Sequence, residues 1–485
     1  MKKIYISLFV FLVAFVLVSC GPNGEVSNRI QLSYADWGDQ ELNQKMIDAF
    51  EEEYPNIDVE LRTEISGSGD EFTGNLILAA SVDLLPDVFA TDNVPTIVSA
   101  GLTLDVAEYW DNDPDTQLVY EYIANTGVYN GKRFAVPSFQ FLKGILINLD
   151  IFENRNLTTV EGKYRIDEDG YPVKDWTFSE MLEISKAIKT SSFSDPDNTV
   201  VGLDTWYGTP DFQQVWPTME NESVMYDTFD GEKFNYVDPD DSNVETDWIK
   251  AMKEKVSYHQ LVDGTTTRFT EDDLERYPHL NGYLIQTGVA AMDIEGSWQF
   301  WVIKQAKEEG MNLGFWPYPQ GSQGFYPPVI LDYQAISSQT KHPEEAYLLA
   351  KWMTFGKQGW HARLDAISET REAEIAKGEE PSYLDRFPIA DYPEVWDRVD
   401  ELVDGIEGIS YILNHIEKAK PDLDKWLPGY KDFWGWVNDA ENNTSYSWEK
   451  LVELGPDSVP QFAVEWNKKV NEFYQIGLSN QDLED

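Results

Sequence analysis

The side chains equipped for chemistry are plentiful but ill-arranged for catalysis. Five histidines, His259, His279, His342, His361 and His415, stand apart, with no HExxH spacing and no neighbouring pair. No G-x-S-x-G elbow, Walker A loop or complete G-x-G-x-x-G occurs, and Gly67-Ser68-Gly69 lacks the third glycine. Carboxylates are so abundant that no given pair singles out a glycosidase-like dyad. Asp167-Glu168-Asp169-Gly170 begins like a calcium loop but lacks the spaced ligands and distal Glu, and Tyr164–Ile166 and Tyr171–Val173 flank it like hairpin strands. It reads as a turn. No catalytic residue, cofactor or metal is therefore expected. Binding chemistry remains: Trp37-Gly38-Asp39 and Thr91-Asp92-Asn93 each follow a predicted strand and hold a carboxylate in a loop.

The elements that would hold those loops alternate. Ile30–Ala35 alternates apolar and polar as a strand does, and Leu42, Met46, Ile47, Ala49 and Phe50 follow helical spacing until Pro55. Ile57–Leu61 is the next strand, Phe72–Ala80 the next helix, and Pro86–Ala90 a short buried strand. This succession predicts an α/β fold with parallel pairing and helices on both faces of an open sheet. Ligands of such sheets sit beyond the carboxyl ends of the strands, where both loops lie.

Composition sets outer limits. The chain has 485 residues, 37 Lys+Arg and 86 Asp+Glu, so its formal net charge is 37 − 86 = −49. That excludes a basic nucleic-acid footprint. Hydrophobic residues make up 42%, too much for a disordered acidic chain. A chain this long divides into about two or three domains.

The N-terminus reads as an address. Lys2 and Lys3 precede an apolar run, Ile4 to Val18, of ~22 Å as a helix, short of a ~30 Å hydrocarbon core. A cationic start, an apolar core and small residues describe a secretory signal peptide over residues 1–19. Leu17-Val18-Ser19-Cys20-Gly21 resembles the bacterial lipobox. Cys20, the only cysteine, is then the lipidation site, and residues 20–28 are a tether. The protein is expected on the extracytoplasmic side of the membrane, at the cell surface or in a periplasm.

Five stretches resemble the extracellular solute-binding proteins of bacterial sugar ABC importers. They are Ala49-Phe50-Glu51 through Tyr54–Val59; Leu78-Ala79-Ala80 with Leu85–Phe89; Gly131–Pro137 with Gly144–Asn148 and Ile151-Phe152; Trp176–Glu180; and Gly288–Met292 with Gly296-Ser297-Trp298 and Thr340–Ala346. They occur in order between about residues 30 and 360. The resemblance implies a two-lobed, type II periplasmic-binding-protein-like fold, each lobe a mostly parallel sheet flanked by helices, with the ligand cleft between them. It places residues 29–138 and 293–341 in the first lobe, 140–291 and 345–485 in the second. Some features have plain structural roles: Thr177 and Glu180 have capping-box spacing, and Glu344-Glu345 suit a helix start.

Aromatic residues bear on the ligand. A neutral sugar needs flat apolar platforms with acids and amides for its hydroxyls, whereas an anion needs arginine clamps or helix N-termini. Around the candidate loops stand Trp37, Trp206, Tyr207, Trp216, Trp298 and Tyr333, beside Asp39, Asp92, Gln140, Glu295 and Asp332, with no arginine pair near them in sequence. The acids would also suit a cationic ligand such as a polyamine; the resemblance favours sugar. Trp298 is implied by the family's cleft turn, and Gln140 by its place in the crossover. Asp39 and Asp92 also suit helix caps. The expectation is a monomeric sugar-binding lipoprotein that closes on its ligand and delivers it to a membrane permease. A surface recognition protein and a carbohydrate-cleaving enzyme are the alternatives.

Overall fold

The computed structural model describes residues 29–155, 157, 163–188, 200–204, 212–241, 244–262, 275 and 283–481. The signal peptide, Cys20 and its tether, Trp206 and Tyr207 lie outside the described residues.

β1 (Ile30–Ala35), β2 (Ile57–Leu61) and β3 (Val88–Thr91) form where alternation and apolar runs place them. α1 (Gln40–Glu53) and α2 (Gly69–Ala80) carry the chain across, so β2 and β3 both pair parallel with β1. α1 buries Asn43, Met46, Ile47 and Phe50, one face at three- and four-residue spacing. Each apolar member contributes about 1.5–3 kcal/mol by leaving water. α3 (Val94–Ser99) follows β3, its first turn capped by Asn93, whose side chain accepts from Thr96 N at 3.2 Å.

After the short hairpin of β4 (Val128–Tyr129) and β5 (Lys132–Arg133) comes β6, Val136–Asn148, thirteen residues long. At ~3.3 Å per residue it spans ~43 Å, enough to serve both halves of the molecule. Its first half pairs antiparallel with β9 (Pro328–Ile336), and the register shifts between Pro137 and Gln140. β9 also pairs with β3, closing the first lobe's sheet. The second half of β6 pairs with β7 (Met292–Gly296) and β8 (Leu313–Trp316). β10 (Lys420–Pro421) lies parallel to the start of β9.

β7 and β8 pair with the second half of β6, and all strands but the β4–β5 hairpin lie in one eight-stranded sheet. The helices Pro343–Met353 and Lys357–Lys377 lie on the side of α1: Trp352 Nε1 donates to the Met46 carbonyl on α1 at 3.0 Å. β9 returns beside β3, and the helices after it follow on the same side.

The second lobe adds the helices Phe178–Ile188, Phe212–Glu220 and Asp247–Val262, with Tyr430–Asn438 and Val459–Ser479 from the far end of the chain. The capping box forms: Glu180 Oε2 accepts from Thr177 N at 2.8 Å, and Thr177 Oγ1 accepts from Glu180 N at 3.3 Å. Asp167 Oδ1 accepts from Tyr171 N within a turn closed by the Ile166–Pro172 bridge. Buried Asp227 accepts from Tyr236 Oη, Trp248 Nε1 and Tyr430 Oη at 2.5, 2.7 and 3.0 Å. It joins three separate stretches of this lobe. Trp434 packs against Phe433 and Trp466, and Trp426 is buried.

Candidate functional site

The loop after β1 is rigid by its own bonding. Asp36 Oδ1 accepts from Gly38 N at 2.5 Å, and Gln40 Nε2 donates to the carbonyls of Asp36 and Gly38. Gln334, on β9, donates to Tyr34 Oη at 2.9 Å and to Asp36 Oδ2 at 3.0 Å, tying the loop to the sheet. Trp37 meets Phe72 edge to face at 5.2 Å. Asp39 caps α1, its Oδ1 accepting from Glu41 N and Leu42 N. The loop thus presents fixed polar atoms beside an indole.

A second group lies where β3 ends beside the middle of β9. Asp332 is buried and accepts a charge-assisted bond from Lys425. Burial opposes the charge on Lys425, but Asp332, Asp422 and Asp92 outweigh it and raise its pKa. Burial raises the pKa of Asp92 in spite of Lys425 and Lys431. Asp92 Oδ1 has no hydrogen-bond partner among the described residues.

The third group stands where β6 passes between lobes. The indole of Trp298 meets Phe141 edge to face at 5.7 Å, and Phe139 meets Phe141 at 5.4 Å. The Arg386 guanidinium lies over both phenyl rings, 4.8 Å from Phe139 and 5.6 Å from Phe141. Burial works against its charge, yet Asp385, Asp36 and Asp332 hold its pKa up. Arg363, fully enclosed beneath, shares the Phe139 ring at 5.9 Å. The carboxylates of Asp385, Asp36 and Asp332 act on the Arg386 guanidinium. Both phenyl rings are buried, while the Trp298 indole and Arg386 keep partial exposure.

Residues 36–358 match the family model of bacterial extracellular solute-binding proteins. The chain belongs to that family. Solved structures agree in fold. An ABC substrate-binding protein of Listeria monocytogenes, in complex with cycloalternan, aligns with 92% of this chain and 98% of its own, with TM-score 0.61 and 14% identity. A sugar transporter of Rhizobium etli, in an open conformation, aligns with 90% of this chain and 99% of its own at TM-score 0.58 and 15% identity. The GacH receptor of Streptomyces glaucescens, solved unliganded and with acarbose, aligns with 94% and 100% at TM-score 0.55 and 15% identity. No curated protein sequence matches the chain. The fold is the two-lobed, type II architecture of these binding proteins. No helix among the described residues is long and apolar enough to cross a membrane.

Several residues singled out in the sequence of this solute-binding protein are buried or bonded within it. Tyr333 is fully buried: β9 alternates, and with Asp332 on one face Tyr333 points into the core. Gln140 is also fully buried, accepting from Tyr122 Oη at 3.0 Å and donating to the Pro388 carbonyl at 2.7 Å. These bonds tie β6 to Tyr122 and to the Pro388 carbonyl. Glu295 is buried, with its carboxylate taken by Tyr283 Oη, Gly296 N and the Trp298 side chain. Its carboxylate is thus held within the protein. Trp216 lies flat on Phe178, ring centroids 4.5 Å apart at 4°, so one face of its indole is covered. Of the other expected residues, Asp39 and Trp298 line one pocket, Trp37 packs on Phe72, and Asp92 and Asp332 lie near Lys425.

Sequence reasoning missed Arg386 and Lys425, both from the chain beyond residue 360. One signal pointed to Arg386. Residues 378–392, between two helices, form a long Pro-bearing connection, and such segments often carry function. Nothing local to Lys425 marks it.

Proposed function

We propose that this solute-binding protein is the receptor of an ABC importer for a neutral oligosaccharide. The observation that carries the reading is the Trp298–Phe141–Arg386 group beside the Asp36 and Asp332 carboxylates. Stacked rings contribute about 0.5–1.5 kcal/mol each beyond their burial, and hydroxyl bonds about 1 kcal/mol each. A few of each give micromolar affinity. The relatives solved with cycloalternan and acarbose support the same ligand class.

Two lobes joined through β6, β9 and β10 hinge about those segments, and a ligand touching both favours the closed form. A membrane permease distinguishes that form and receives the sugar; no bond is made or broken. The mature chain, lipid-anchored through Cys20 after removal of residues 1–19, works as a monomer on the extracytoplasmic face. A thermal-shift screen of neutral oligosaccharides, polyamines and peptides tests the reading, because a ligand raises the melting temperature by mass action. A neutral oligosaccharide should give the shift, and small-angle scattering should show compaction with it. A response to polyamines alone would overturn the assignment.

A further inference from the structure

Among the described residues eleven large apolar side chains stand exposed, and four of them fall within one stretch of eight residues: Ile77, Leu78, Val82 and Leu84, at 41, 66, 61 and 55%. The other seven stand apart in sequence, as is ordinary on a surface, whereas a grouped apolar patch calls for something to cover it. The fold gathers the four together. Ile77 and Leu78 lie in the last turn of α2, and Asp83 takes a left-handed φ of 58°. Val82 N and Leu84 N both turn back to the Ala79 carbonyl, at 3.2 and 2.9 Å. From Gly74 to Pro86 the only charged residue is Asp83.

The place of the patch in the sheet determines what it can meet. α2 runs back from the end of β2 to the start of β3, so its last turn lies at the amino-terminal edge of these parallel strands. Asp87 Oδ2 accepts from Ser33 N at 2.8 Å and holds the connection beside β1. Arg29, where the expected tether ends, is on the same edge: its Nε donates to the Ile57 carbonyl at 3.0 Å, and Ile30 N donates to the Asn56 carbonyl at 2.8 Å. Trp37–Asp39 and Thr91–Asn93 follow the opposite, carboxyl edge.

That arrangement favours one occupant. Residues 20–28 reach at most about 30 Å even when fully extended. A lipid on Cys20 thus keeps this edge, rather than the candidate site, next to the bilayer. Four side chains fall far short of the roughly 20–30 residues a side of a stable protein interface. They suffice for a surface that the anchor already holds close, because the contact is then intramolecular. With a net charge of −49 the chain is repelled by anionic headgroups, so the interface it suits is a neutral one.

We propose that Ile77, Leu78, Val82 and Leu84 rest on the interface of a neutral bilayer and point the candidate site away from it while the receptor awaits its ligand. The proposal rests on the lipid-anchor reading and adds the orientation of the anchored chain. The test uses the full-length chain in phosphatidylcholine vesicles that carry a headgroup spin label. With Cys20 acylated, Val82→Cys and, as a control, Val464→Cys on the helix Val459–Ser479 each offer one thiol for a bimane fluorophore; Val464 is 47% exposed. Quenching should be at least about threefold greater at position 82 than at position 464. Adding Leu78→Glu and Leu84→Glu should abolish the difference while the circular dichroism spectrum stays unchanged. Equal quenching at both positions, or a difference that survives those substitutions, would overturn the proposal. So would blue-shifted emission at position 82 without quenching, which would give the patch to a second copy, or a difference found only in native membranes, which would give it to a protein partner. Mass spectrometry separates the two readings: a chain without acyl groups on Cys20 loses both, whereas an acylated chain quenched equally at both positions loses this one alone.

Discussion

A Cβ placed on Gly296 would lie 2.0 Å from Cζ3 of Trp298, so the indole rests directly on the backbone at the end of β7. Gly296 has φ −126°, a conformation open to any residue, so the constraint is space alone. Gly296→Ala should push the ring aside and weaken ligand binding at least about tenfold, ~1.4 kcal/mol, as should Trp298→Ala. Calorimetry measures the loss, and an unchanged circular dichroism spectrum confirms the fold. Affinity retained in both variants would take Trp298 out of the site.

Lys425 and Asp332 make a second test. Lys425→Met strands a buried carboxylate and should cost about 3–5 kcal/mol in urea unfolding. Replacing both, as Lys425→Met with Asp332→Leu, should recover much of that stability while ligand affinity stays low. A double variant that binds normally would show the pair to be structural only.

Asp227 makes stability depend on pH. Burial, opposed by the bonds from Tyr236, Trp248 and Tyr430, pushes its pKa up to about 7. The unfolded value is about 3.9, so between the two the folded state holds the proton and the unfolded state has lost it. Stability must then fall as pH rises through this window, by up to about 1.4 kcal/mol per unit, and level off above it. Asp227→Asn should remove one proton's worth of that slope, since the tyrosine hydroxyls can turn to accept from the amide. Urea midpoints at several pH values between 4 and 8 measure it. Parallel curves for the two proteins would refute the assignment.

Tyr333→Phe is the control for the buried face of β9. Loss of the hydroxyl should leave ligand affinity unchanged within about twofold. A larger loss by calorimetry would return Tyr333 to the site.

The first lobe was legible because its strands and helices alternate with clear periods and stop signals, as α1 does at Pro55. The turn holding Trp298 was legible through its family motif. The strand partners in the middle of the chain were not. β6 and β9 are continuous strands with partners in more than one place, and nothing in their apolar runs marks where a partner changes. The burial of Tyr333 and Glu295 was not legible, because residue type says nothing of strand face or of bonds already made. Arg386 and Lys425 come to the cleft only through the tertiary return of the chain's last third.

One ribbon, β6, is hydrogen-bonded to both jaws. On the proposed closure the movement wrings that ribbon about its own length rather than swinging on a loose strap. The register shift between Pro137 and Gln140 is the point at which such a strand bends most readily.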